Sequence, residues 1–91
     1  MEKIILLPKA FKGMSYWAEE DSRILVKIFE LIKDIGRNPF SGLGKPEPLK
    51  HKFKGLWSRR ITKEHRLIYK YSNEEIVRRL SFIMDATIEN R

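Results

Sequence analysis

The apolar residues of this chain change period partway along, and that change limits the fold it can adopt. Ile24, Leu25, Ile28, Leu31, Ile32 and Ile35 recur three and four apart, the spacing of one buried helix face. From Leu56 the pattern alternates, and Leu56–Ile61, Arg66–Tyr71 and Glu75–Ile83 read as three strands joined by hairpins. Upstream, residues 3–7 are a short run of apolar β-formers ended by Pro8. Pro8 suits the first turn of a helix, where a missing N–H costs nothing. Ala10, Phe11, Met14 and Trp17 follow at helical spacing; Asp21 can cap a second helix and Gly36 can end it. Strand, two helices and three strands predict an α+β domain, with the helices packed on one face of an antiparallel sheet. The other face is left open for a site.

Between the two periods lie Gly36, Pro39, Gly42, Gly44, Pro46 and Pro48. Turn formers at that density predict a structured loop inside the domain. At 91 residues there is room for one core only. The net charge of +7 favours a polyanionic partner. With no cysteine, disulfide and thiolate chemistry are excluded and a reducing cytoplasm is compatible. The Ile4–Leu7 run is too short for a signal peptide or a membrane span, so the expectation is a cytoplasmic protein with no membrane partner. No HExxH, CxxC pair or aspartate cluster is present, which predicts no metal, disfavours a two-metal nuclease and leaves no cofactor.

Chemistry concentrates in one stretch. Glu47 stands between Pro46 and Pro48, which restrict the backbone from both sides and would preorganise a carboxylate as a general base. On spacing alone an exposed loop glutamate is the plainer reading. Lys50, Arg59, Arg60 and Arg66 crowd beside it, and guanidinium groups there could hold a scissile phosphate and its transition-state charge. A histidine side chain changes charge near neutral pH, which makes His51 and His65 candidates for a general acid, but both read as structural or positioning residues. Trp17 and Trp57 are most simply core residues. Lys63-Glu64 lacks the Gly or Asn of a tight turn, so a three-residue loop, Thr62–Glu64, is expected; it would set Arg60 opposite Arg66 on one face.

Lys45-Pro46-Glu47-Pro48-Leu49-Lys50-His51 and Leu56-Trp57-Ser58-Arg59-Arg60-Ile61-Thr62-Lys63-Glu64-His65-Arg66-Leu67 closely resemble the YoeB toxins of the RelE superfamily. The resemblance runs from Ile4 to about Val77. It implies a RelE-like toxin domain over residues 1–84 and a ribosome-dependent messenger-RNA endonuclease of a type II toxin–antitoxin pair. It assigns Glu47 as the base, gives Lys50, Arg60 and Arg66 phosphate-binding and transition-state roles, and makes neither His51 nor His65 the acid. It further implies a YefM-like antitoxin whose acidic C-terminal segment covers the basic site. Operator DNA would be reached only through the antitoxin complex, and a homodimer is allowed.

The pattern then breaks. Members of the family end in a Cys-Arg-Tyr-His-Tyr-like strand whose histidine protonates the leaving 5′-oxygen and whose tyrosine lies in the active site. By position Met84 stands for that histidine and Asp85 for the tyrosine, and residues 85–91 are a divergent tail expected to fray. Leu-Ser-Phe-Ile-Met-Asp can be encoded by bases that, one nucleotide earlier, spell Ser-Lys-Phe-His-Tyr-Gly. The tail is read as a frame-shifted version of the usual terminus, with an unrelated divergent tail as the alternative. A chain so altered keeps either weakened cleavage or only the binding of RNA and antitoxin, with a part in repressing its own operon.

Overall fold

Pro8 ends one element and opens the next. In the computed structural model, which describes the backbone of residues 2–73 and 78–86 and the side chains of residues 4–71, it follows strand β1 (Glu2–Leu6) and starts helix α1 (Pro8–Glu20). Helix α2 (Ser22–Arg37) begins where the carboxylate of Asp21 accepts the Arg23 backbone N–H at 3.1 Å. It runs one residue past Gly36 and ends at Asn38, whose N–H donates to the Asp34 carbonyl at 2.8 Å. The loop that follows carries a two-residue strand, β2 (Glu47–Pro48), and a short 3-10 turn at His51–Phe53. Strands β3 (Trp57–Arg60), β4 (Arg66–Asn73) and β5 (Arg78–Ala86) complete the order. The expected start of the last strand at Glu75 lies outside the described residues, as do residues 87–91 of the tail.

The strands make one sheet in the order β1-β5-β4-β3-β2. Strands β2 to β5 pair antiparallel, and β1 joins the edge of β5 in parallel. The hairpin between β3 and β4 has the expected register, with Arg60 opposite Arg66 and the Ile61 N–H donating to the His65 carbonyl at 2.9 Å around Thr62–Glu64.

Both helices lie on one face. Ala10 of α1, Ile28, Leu31, Ile32 and Ile35 of α2, and Ile61, Leu67 and Tyr69 of the sheet form the core, with Met14, Trp17 and Trp57 partly buried against it. Phe11 is 64% exposed, because it sits a third of a turn away from the face shared by Ala10, Met14 and Trp17. No described helix is long and apolar enough to cross a membrane.

Candidate active site

Alternation along β3 and β4 sorts the basic residues onto two faces. Trp57, Arg59 and Ile61 share one parity and Ser58 and Arg60 the other, just as Leu67 and Tyr69 oppose Arg66 and Ile68. The core takes the first set. The face turned away from the helices takes the second, with Ser58 and Ile68 buried and Arg60 exposed, and across it the register draws a row: Glu47 pairs with Ser58, Ser58 with Ile68, and Ile68 with Met84. The next row on that face, two residues along and thus roughly 7 Å away, runs Arg60, Arg66, Ala86. Glu47, Arg60 and Arg66 are thereby brought together, and the backbone position of Met84 falls on the row of Glu47.

Glu47 is exposed on the edge strand, where a flanking proline removes no ladder bond that a neighbour needs. Two non-glycine residues with left-handed backbone bracket it, Lys45 at φ 51° and His51 at φ 57°. Each such residue costs on the order of 1–3 kcal/mol and persists only where its surroundings impose it. Gly44 is part of what imposes it: at φ 78°, a Cβ there would come within 2.9 Å of Leu31 Cδ2 and 3.1 Å of Arg59 Cβ. Its carbonyl accepts the Arg60 N–H at 2.7 Å, which extends the ladder beyond β2. Arg60 is exposed; Arg66 is half-buried, and its Nη1 is buried without a hydrogen-bond partner. Lys50 is exposed and lies past the end of β2, immediately before the 3-10 turn.

Arg59 corrects the sequence reading. It is fully buried, on the core side, and all five of its N–H donors are used within the protein. Nε donates to the Tyr69 hydroxyl (3.3 Å), Nη1 to Asp34 Oδ2 (2.6 Å) and the Leu43 carbonyl (3.0 Å), and Nη2 to the carbonyls of Asn38 (2.6 Å) and Ser41 (2.9 Å). A guanidinium so engaged cannot bind substrate phosphate; it pins the loop over residues 38–43 to the sheet. Tyr69 adds a bond from its hydroxyl to the Pro39 carbonyl at 2.6 Å, and burial pushes its phenol above the ordinary tyrosine range.

Asp34 completes the clamp. The Leu43 backbone N–H, donating to Oδ2 at 2.9 Å, and the Arg59 guanidinium hold its carboxyl below the usual carboxylate value. A lowered folded-state value means that stability is full above the unfolded-chain value, near ~4, and is lost as pH falls through the folded one. Urea melts from pH 6 to 2 should therefore show an acid loss that Asp34→Asn reduces. Equal acid slopes would count against the clamp.

His65 is engaged in the hairpin. Thr62 Oγ1 accepts the backbone N–H of Glu64 (3.1 Å) and of His65 (3.0 Å), so its own proton goes to His65 Nδ1 at 3.0 Å. The ring meets Trp17 edge-on at 5.2 Å. His51 is exposed beside the Glu47 segment.

Known proteins resemble this chain in sequence and fold. A family model of YoeB-like toxins of bacterial type II toxin–antitoxin systems matches residues 7–82. The chain is 52% identical over 75 residues to the toxin YoeB of Escherichia coli strain K12, covering 82% of this chain and 89% of that one. A solved YoeB/ParE toxin from Agrobacterium tumefaciens superposes with a TM-score of 0.89 at 40% identity, over 96% of this chain and 99% of that one. YoeB from Staphylococcus aureus superposes at 0.85 as a dimer, with 35% identity over 96% of this chain and 97% of that one. In a heterotetrameric YoeB–YefM toxin–antitoxin complex from Staphylococcus aureus the match gives 0.83, with 34% identity over 98% of this chain and 99% of that one. The family match ends at Phe82, immediately before Ile83-Met84-Asp85.

Proposed function

The chain belongs to the YoeB-like toxins of bacterial type II toxin–antitoxin systems, and from this we propose that it is a ribosome-dependent messenger-RNA endonuclease working by metal-free acid–base transesterification. The observation that carries the reading is the sheet face turned away from the helices, on which the exposed Glu47 lies one row from Arg60 and Arg66. Glu47 takes the proton of the 2′-hydroxyl, and the 2′-oxygen attacks the adjacent phosphorus. Arg60, Arg66 and Lys50 stabilise the pentacoordinate charge. The 5′-oxygen leaves with a proton from an acid, and a 2′,3′-cyclic phosphate remains. The Met84 thioether has no proton to give.

The antitoxin is YefM-like, covers the basic face with an acidic segment, and carries the pair to operator DNA; a homodimer and a cytoplasmic site of action fit the same reading. The complexes of the Staphylococcus aureus relative support the partner and the dimer. A second reading, a catalytically impaired module that binds RNA or antitoxin and assists autorepression, is favoured by one specific observation: the family match stops where the acid should follow. The frame-shift origin of the tail has the same support. Gene codons that fail to spell His-Tyr in the shifted frame would dispose of it.

Cleavage of messenger on purified ribosomes tests the leading reading. Glu47→Ala removes the base and should lower the rate by ~10²–10⁴-fold. An unchanged rate would overturn the assignment of Glu47. Ribosome binding should weaken steeply with salt, and Arg66→Ala should flatten the slope by about one phosphate contact. A salt-insensitive interaction would instead point to recognition through apolar surface.

A further inference from the structure

The buried Arg59 stands on β3 between Ser58, which pairs with Glu47, and the exposed Arg60. One short strand thus carries the clamp on its inner side, between the partner of the base and a phosphate ligand. The loop closes the same circuit. Only Gly44, Lys45 and Pro46 separate the clamped Leu43 from Glu47, and the Gly44 carbonyl accepts the Arg60 N–H at 2.7 Å. Gly42, at φ 116°, lies so close to Asp34 that a Cβ there would collide with its carboxylate. Strand β2 has little else to hold it. It is two residues long, lies at the sheet edge, and is followed by one further bond, from the Leu49 N–H to the Leu56 carbonyl at 2.9 Å. The Glu47 side chain makes no hydrogen bond or ion pair among the described residues, so backbone alone sets its place. Short edge segments of this kind open locally at small cost unless something fixes them.

We propose that Asp34, Arg59 and Tyr69 are positioning residues of the cleavage reaction: through the loop over residues 38–43 they fix the backbone of Glu47 against that of Arg60, without touching substrate. The inference rests on the endonuclease reading and deepens it. A base must reach the 2′-hydroxyl while Arg60 holds the adjacent phosphate, and a misplacement of about 1 Å between such groups can cost on the order of 10²-fold. The clamp is built to prevent that shift. Its guanidinium takes three loop carbonyls and is itself tied to α2 through Asp34 and to β4 through Tyr69. Stability alone is a poor reason for a buried ion pair, since apolar residues of like volume often serve as well. What the planar fork adds is direction, with each donor aimed at one acceptor.

The test compares the intact chain with Asp34→Asn, at a temperature where circular-dichroism melts show both folded. Single-turnover cleavage at saturating ribosomes should fall roughly 10-fold while ribosome affinity stays within about twofold, because the phosphate ligands remain and only their alignment with the base is lost. Tyr69→Phe removes the bonds to Pro39 and Arg59 but keeps the ion pair, and should give a smaller loss of the same kind. In a Glu47→Ala background Asp34→Asn should cost nothing further, since residues that act through one another are not additive. Amide exchange supplies a readout without chemistry. The Arg60 and Leu49 N–H groups should exchange about 10-fold faster in Asp34→Asn, while the Ile61 N–H, held across the hairpin by His65, keeps its protection. Unchanged cleavage per folded molecule, additive losses, or exchange raised equally at all three amides would each reduce the clamp to a structural role and overturn the inference alone. An intact chain that cleaves nothing sinks the endonuclease reading and the inference together.

Discussion

Rebuilding the end of β5 as Phe-His-Tyr, through Ile83→Phe, Met84→His and Asp85→Tyr, is expected to raise ribosome-dependent cleavage by ~10²–10⁴-fold, the usual contribution of a positioned general acid. The backbone is ready for the change. Position 84 pairs with Ile68 on the row that leads through Ser58 to Glu47, three strand spacings or about 14 Å away. A base and an acid on one row, with arginines on the next, can flank a phosphodiester from opposite sides. Binding to ribosomes should change little, because the cations that contact phosphate stay in place. Single-turnover cleavage at saturating ribosomes separates the two effects. If the present chain already cleaves as fast as the rebuilt one, the acid lies elsewhere. His51 is then the next candidate, since His65 is occupied by Thr62 and Trp17.

The second large effect is on stability. Arg59→Met strips the clamp of five hydrogen bonds and leaves Asp34 and the carbonyls of Asn38, Ser41 and Leu43 without their cation. Breaking a buried ion pair from one side costs about 3–5 kcal/mol, out of the roughly 5–15 kcal/mol available to a small domain. Thermal melts should fall by about 12–40 °C, at roughly 4–8 °C per kcal/mol for a domain of this size. Arg59→Lys should fail almost as badly, since an ammonium cannot reproduce the planar fork. The opposite result, a near-normal melt with RNA binding abolished, would return Arg59 to the phosphate site and contradict its burial.

Those two results mark where the sequence could and could not be read. The shift from helical to alternating period disclosed both helices, the β3–β4 hairpin and the face turned away from the helices, because each depends on local side-chain spacing. The facing of Arg60 and Arg66 followed from loop length in the same way. Arg59 was misread by its company: three arginines in one stretch look like a single cationic cluster. The corrective signal was parity, since Arg59 falls in step with Trp57 and Ile61, both of which turn to the core. What no parity could supply was the partner, Asp34, which lies far away in sequence on α2. The parallel pairing of β1 was hidden for a similar reason, because nothing local in residues 2–6 points to residues 78–82. The hold of the clamp on the Glu47 strand depends on how the Gly44 loop lies against α2, and only the folded chain brings those parts together.

The parallel pairing also bears on synthesis. Strand β5 sits inside the sheet, between the first strand and β4. Until it emerges from the ribosome, β1 has no neighbour and the exposed flank of β4 is bare. A nascent chain can therefore form its helices and its first hairpin early, yet the sheet closes only once residues 78–86 are available. Such late, long-range closure is slow. It also postpones completion of the Glu47 row until the β5 position paired with Ile68 is in place. The same delay leaves two open strand edges for a waiting partner to meet first.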